Sequence, residues 1–185
     1  TDYLTYYFLS KVLREFNHKY PGISIKLLEG KTSGLNQSAQ AGECDFAISY
    51  DISNIDELTN INIYQEEVYI ALHLDHPIVE KYKIPKNQEG DFPVIDAKLL
   101  KNNKIIRMKK GQNLRLIFSE LDKYTANSLE TILETDSMYL AIKFVSEGLG
   151  ISIIPRSMAL DNNLDCVFVK TNPPLSKRTI MIHYN

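Results

Sequence analysis

Residues 135–155, Thr-Asp-Ser-Met-Tyr-Leu-Ala-Ile-Lys-Phe-Val-Ser-Glu-Gly-Leu-Gly-Ile-Ser-Ile-Ile-Pro, leave the backbone few choices. Thr135, Asp136 and Ser137 are residue types that cap a helix by accepting bonds from its unpaired N–H groups. Leu140, Ala141, Phe144 and Val145 recur at helical spacing and predict one apolar stripe. Gly148 stands where a left-handed stop is cheapest, because glycine has no Cβ to clash. Ile151 to Ile154 is a short β-branched run ended by Pro155, the pattern of a buried strand. The unit is therefore a capped helix, a glycine turn and a buried strand. Its helix start offers N–H groups to an anion.

The same organisation occurs earlier in the chain. Lys31-Thr32-Ser33-Gly34 opens a short polar helix with Leu35, Gln37, Ser38 and Ala39, and Gly42 ends it. Phe46-Ala47-Ile48-Ser49-Tyr50 then reads as a strand. The two copies share little sequence, so they are an echo of structure and point to two similar α/β lobes.

Around these units the chain alternates strands and helices. Residues 3–20 predict a helix whose apolar face is Leu9, Val12, Leu13, Phe16 and Tyr20, stopped by Pro21-Gly22. Tyr3, Tyr6, Tyr7 and Phe8 widen that face beyond one core stripe, which hints at a second packing surface. Residues 23–29 alternate at period two and predict a strand. A polar loop over 51–60 leads to residues 61–64, and 67–73 is the next strand. Residues 78–91 are charged and loop-like. A helical turn at 96–100, a strand at 104–108, and a turn at 109–113 follow. That turn enters a helix carrying Leu114, Ile117, Phe118 and Leu121. Residues 129–133 form a further strand. After Pro155 come a short helix at 156–160, a strand at 166–169, a Pro173-Pro174 linker and a last strand at 179–183, which must pair with something much earlier. A doubly wound α/β arrangement is the economical reading. Ligands in such sheets bind beyond the carboxyl ends of strands. Four helix starts qualify there, at 1–3, 32–34, 111–113 and 136–137.

With 185 residues and 44% hydrophobic content, the chain is large enough for one substantial core or two small lobes. A net charge of −2 gives no general attraction to nucleic acid. No apolar run approaches the roughly 20 residues that span a bilayer. Cys44 and Cys166 lie far apart with no CxxC spacing, which fits a reduced, intracellular protein.

No HExxH, GxSxG, Walker A or GxGxxG motif is present, so no catalytic constellation, metal site or cofactor is expected. His18, His73, His76 and His183 are scattered, and His73 and His76 fit turn chemistry at a strand end. The hydroxyls of Thr32, Ser33 and Ser137 are the better lead: each is either a plain cap or a donor to a carboxylate. Arg107, Lys109, Lys110 and Arg115 add positive charge beside the 111–113 helix start and favour an anionic small molecule. Asp2 and Asp136 oppose an anion and suit an amine, so an amino-acid-like ligand also fits.

Several stretches, taken together and in order, carry a resemblance. They are Phe8-Leu9, Phe16-Asn17-His18-Lys19-Tyr20-Pro21-Gly22, Glu29-Gly30, Gly42-Glu43-Cys44-Asp45-Phe46-Ala47-Ile48, Asp75-His76-Pro77 and Glu147-Gly148-Leu149-Gly150-Ile151-Ser152-Ile153-Ile154-Pro155. The chain resembles the effector-binding domain of LysR-type transcriptional regulators over nearly its whole length. The resemblance implies a periplasmic-binding-protein-like (type 2) fold of two Rossmann-like lobes joined by two crossing strands. Lobe I is then residues 1–73 with 175–185, and lobe II residues 74–174. It implies an effector site in the interlobe cleft at Thr1, Tyr3, Thr32, Ser33, Met108, Lys109, Lys110, Gly111, Asp136 and Ser137. Family members commonly carry Ser or Thr near position 3, and a tyrosine there narrows the cleft.

The resemblance further implies a regulatory part of a longer cytoplasmic regulator. The winged helix-turn-helix that contacts DNA lies outside this chain, as do the strand before Thr1 and the helix after the last strand. Family domains pair antiparallel, so 3–20 and 23–29 of one chain meet the 113–123 helix and 129–133 strand of its partner, with a tetramer for the full-length protein. Cys44 and Cys166 do not match the paired cysteines of the peroxide-sensing branch. The expectation is a non-enzymatic sensor with no cofactor and no membrane contact; the rival is the solute-binding protein of a transporter.

Overall fold

The computed structural model describes residues 2–50, 58–86, 88, 90, 92–160 and 165–184, without the side chain of Asp2. Its contacts divide the chain into two units, Thr1–Gln65 with Thr179–Asn185, and Glu66–Arg178. The boundaries lie beside Glu66 and Arg178, whereas the family resemblance implies 73/74 and 174/175.

In the first unit, α1 (Asp2–Leu4), a π-helical turn (Thr5–Leu9) and α2 (Ser10–Lys19) run on from one another. No residue of α2 is buried, and Val12, Phe16 and Tyr20 are exposed. Helix α3 (Thr32–Gln40) packs on β1 (Ala47–Tyr50) through Leu35, Ala39, Ala47 and Leu58. Beneath that contact the buried Ser49 hydroxyl donates to Asn36 Oδ1 at 3.0 Å. The sheet order is β1-β9-β2, with β2 at Thr59–Glu66 and β9 at Arg178–Tyr184. β1 runs antiparallel to β9, from Ala47 opposite His183 to Tyr50 opposite Ile180. The last strand thus finds the early partner that its position required.

Residues 23–29 are the main departure in this unit. They form no strand, and Ile23, Ile25, Leu27 and Leu28 are all exposed. Alternation at period two makes a segment fit for a ladder, but a ladder also needs a neighbour with free N–H and C=O groups. No described strand pairs with it. Of the polar loop expected at 51–60, residues 51–57 lie outside the described residues.

The second unit holds the larger core. β3 (Val68–His73) pairs antiparallel with β7 (Ser152–Pro155) and with β8 (Cys166–Asn172). β4 (Val94–Asp96) joins β8 in parallel. β5 (Lys104–Met108) and β6 (Glu130–Thr135) form a parallel pair, tied to the larger sheet by a bridge between Ile105 and Ile151. Ile70, Leu72, Ile105, Ile151, Ile153, Val167 and Val169 are sealed from solvent, as in strands covered on both faces. Each buried side chain of this size contributes roughly 1.5–3 kcal/mol.

Helix α4 (Pro77–Lys81) replaces the start of the loop expected at 78–91, because Ile78 and Val79 are apolar anchors that bury against this core. The helical turn expected at 96–100 is a 3₁₀ turn over Ala97–Leu100. α5 (Leu114–Tyr124) buries Leu114, Ile117, Phe118 and Leu121, the predicted face. α6 (Met138–Ser146) buries Ala141, Ile142 and Val145, while Leu140 is 51% exposed. The core stripe is thus rotated by about one position from the predicted one. Gly148 stops the helix at φ +75°, and α7 (Arg156–Ala159) follows β7.

Candidate functional site

Parallel strands end on the same side, and β5 and β6 end together, with Met108 opposite Thr135. A helix leaves each strand there, α5 from one and α6 from the other, which is where an α/β sheet presents helix N-termini to a ligand. The Lys109 N–H donates to the Thr135 carbonyl at 3.0 Å. Lys109 Nζ lies 3.1 Å from Asp136 Oδ2, with both side chains about half exposed. The Ser137 hydroxyl oxygen accepts from the Leu140 N–H at 3.3 Å, and the Ser137 N–H donates to Thr135 Oγ1 at 3.1 Å. Ser137 is therefore the true cap of α6, and a hydroxyl that accepts one bond still has a proton to donate. The free N–H groups beside it favour an anion by about 0.3–1 kcal/mol.

The neighbouring turn supplies charge. Gly111 sits at φ +87°, a conformation that favours glycine, and so swings the chain from β5 into α5. Lys110, next to it, is exposed. Arg115 Nη1 donates to the Met108 carbonyl at 2.9 Å and to Glu134 Oε1 at 2.6 Å. That hydrogen bond, against slight desolvation and with help from nearby positive charge, holds the Glu134 carboxyl below the usual carboxylate range. Lys109, Lys110 and Arg115 thus face Asp136 and Glu134, three cations against two carboxylates.

Arg107 does not belong to this group. Its side chain is 5% exposed, bonded to Asp122 at 2.5 and 3.0 Å and to Thr131 at 2.6 Å, with the Phe118 ring 5.6 Å away. Alternation along β5 turns it to the α5 side, where it holds helix to sheet.

In the first unit, Thr32 and Ser33 are the first two residues of α3, and the preceding Lys31 gives no side-chain cap. Neither hydroxyl is the cap itself. Thr32 is buried and Ser33 exposed. Tyr3 is 3% exposed, with its ring 5.1 Å from that of Tyr7. Thr1 lies outside the described residues. The structure therefore groups Met108, Lys109, Lys110, Gly111, Asp136 and Ser137 within the second unit, and Thr32 with Ser33 within the first. Met108 is 2% exposed and contributes its carbonyl to the Arg115 bond. Glu134 carries no sign of its role in residue order, because its partner Arg115 lies on α5 and meets the β6 strand only in the fold.

His76 carries turn chemistry, as expected. Its Nδ1 accepts from the Ile78 N–H at 3.2 Å and so caps α4, and its Nε2 meets Asn103 Oδ1 at 2.8 Å. Among the described residues no group of three or more His, Cys, Asp or Glu is placed to hold a metal ion, and no helix is long and apolar enough to cross a membrane.

Residues 1–185 match the LysR substrate-binding domain family throughout. The chain belongs to that family. An uncharacterized HTH-type transcriptional regulator, YybE of Bacillus subtilis (strain 168), is 26% identical over 152 residues, covering 82% of this chain and 48% of its own length. The chain spans about half the length of the curated relatives it matches. The CcmR regulatory domain of Synechocystis PCC6803, solved in complex with 2-PG, superposes with a TM-score of 0.78 at 20% identity, over 97% of this chain and 82% of that one. The effector-binding domain of QuiR in complex with shikimate gives a TM-score of 0.79 at 15% identity, over 98% and 82% of the two chains. The α/β architecture is therefore that of LysR effector-binding domains, the type 2 periplasmic-binding-protein-like fold. The relatives are named as transcription regulators, which are not enzymes.

Proposed function

We propose that this domain is the effector sensor of a LysR-type regulator, that its ligand is a small anionic metabolite, and that one ligand engages residues of both units. In the second unit these are Lys109, Lys110, Gly111, Asp136 and Ser137, with the Met108 carbonyl held in place behind them. In the first they are Thr32 and Ser33, with Thr1 and Tyr3 at the first helix start. The observation that carries the reading is the Ser137-capped start of α6 beside the Lys109–Asp136 pair, at the shared carboxyl end of β5 and β6. Neighbouring folds solved with small molecules support it. To act as a switch, the ligand must prefer one arrangement of the domain over another, and each tenfold preference shifts the balance by about 1.4 kcal/mol. Control of transcription then runs through a helix-turn-helix outside this chain, in the cytoplasm where the DNA lies, and the sensor performs no catalysis. The relatives named as transcription regulators favour this reading over the transporter rival. A thermal-shift screen of carboxylate and phosphate metabolites tests the reading: a hit raises the melting temperature in wild type and less in Ser137→Ala.

We also propose an antiparallel homodimer, with a tetramer for the whole regulator. In the first unit, Val12, Phe16, Tyr20, Ile23, Ile25, Leu27 and Leu28 expose apolar surface on α2 and on the segment after it. In the second unit, Leu116 on α5 is 70% exposed and Ile132 on β6 37%. β6 pairs only with β5 among the described strands. A segment with a strand's alternation but no ladder and a strand with an open edge are complementary, and β-addition between two chains satisfies both.

A further inference from the structure

The chain passes between its two units at Gln65/Glu66 and at Arg178/Thr179. Glu66 is the last residue of β2 and Arg178 the first of β9, two strands that are neighbours in the first sheet. Their side chains form an ion pair in which both partners are 3% exposed. It is the most deeply buried of the described ion pairs; the next, Arg107–Asp122, is 5% and 26% exposed. The second oxygen of the Glu66 carboxylate accepts from the Ser157 hydroxyl at 3.0 Å, so α7 joins the pair. The Arg156 N–H donates to the Glu67 carbonyl at 2.9 Å and anchors the same helix to the backbone one residue on.

Two apolar side chains would fill this place without the loss of hydration that a buried charge suffers, and stability alone often favours that exchange. What a charge pair adds is direction: a carboxylate and a guanidinium bind in one geometry and lose much when separated. We propose that Glu66, Arg178 and Ser157 form a strap that couples the two crossing strands, so that β2 and β9 loosen or tighten together, and that α7 feeds movement of the second unit into both. This is independent of which ligand binds and of whether the sensor reading holds.

Hydrogen exchange on this chain, read by mass spectrometry, tests the strap. Glu66→Gln removes the charge on β2 only, and Ser157→Ala, a milder change, removes the α7 contact. The strap requires that Glu66→Gln speed exchange about tenfold or more in both β2 and β9, including the strand not substituted, with β5 and α5 unchanged. Ser157→Ala is expected to move the same two strands by less. If Glu66→Gln unfolds the chain, the Ser157→Ala pattern decides alone. Exchange raised only in β2, raised evenly through the second unit, or unaltered in both variants overturns the proposal.

Discussion

Among the glycines, Gly150 is the one at which an added methyl group would meet backbone closer than 3.0 Å. An alanine Cβ there would sit 2.6 Å from the Lys104 carbonyl oxygen and 3.0 Å from its carbon. Both are backbone atoms, so no side chain can swing aside. The same carbonyl accepts the Ile151 N–H at 2.8 Å, and the Ile106 N–H donates to the Ile151 carbonyl at 2.9 Å. These two bonds hold the β5–β6 pair to the rest of the second sheet. Relieving the clash pushes β5 away from Ile151 and stretches both. Overpacking costs about 1–3 kcal/mol, and weakening two buried backbone bonds adds about 1 kcal/mol each. Gly150→Ala should therefore lose about 3 kcal/mol or more. Gly148→Ala is the control. It has room, with the His73 ring no nearer than 3.8 Å, but a φ of +75°, so its loss is about 1–2 kcal/mol from left-handed strain alone. Urea unfolding of the chain, followed by far-ultraviolet circular dichroism, gives both numbers. If Gly150→Ala loses no more than Gly148→Ala, the close approach of β5 to the 150–151 turn is not what fixes the site strands.

Three further outcomes follow from the geometry. Ser137→Ala removes the α6 cap and should lower stability by about 1 kcal/mol, measured in the same urea experiment; no change would mean the Leu140 bond is dispensable. Burial, with a smaller push from His73, lowers the His76 pKa against the opposing Asn103 bond. The fold therefore prefers neutral His76, and its contribution is complete above an unfolded value of about 6.5 and is lost as pH falls from there through the folded pKa. Urea midpoints between pH 8 and pH 5 should fall more steeply in wild type than in His76→Asn, which keeps a cap without the titration; equal slopes refute the assignment. Leu116→Glu should leave the fold intact and shift the chain to monomer in analytical ultracentrifugation, whereas unaltered assembly would remove the α5 face from the interface.

The local structure around the candidate site is legible in residue order because its determinants are local. A Ser before a helical stripe, a glycine after it and a β-branched run ended by proline each act within a few residues, and Ser137, Gly148 and β7 lie where those rules put them. Features set by distant partners could not be read this way. Residues 23–29 have a strand's alternation but no ladder, since pairing depends on a second segment. In the sequence Arg107 counts with Lys109, Lys110 and Arg115 as charge beside the 111–113 turn, but in the fold it bonds Asp122 and Thr131. Helical spacing puts Leu140 in the core stripe, yet α6 packs through Ile142 instead. Neither choice violates helical spacing, and only the position of the β3–β7 sheet decides between them. Glu66 and Arg178 are separated by 112 residues, and no spacing rule links them.

In the proposed function one small anion is held by residues of both units. Calorimetric titration of a metabolite found in the thermal-shift screen, into wild type, Thr32→Val and Ser137→Ala, tests it most directly. Each substitution alone should weaken binding of the same compound, by roughly tenfold for one lost hydrogen bond to a charged group, with the fold retained. A compound that binds all three proteins equally, or one that responds to only one of the two substitutions, contradicts it.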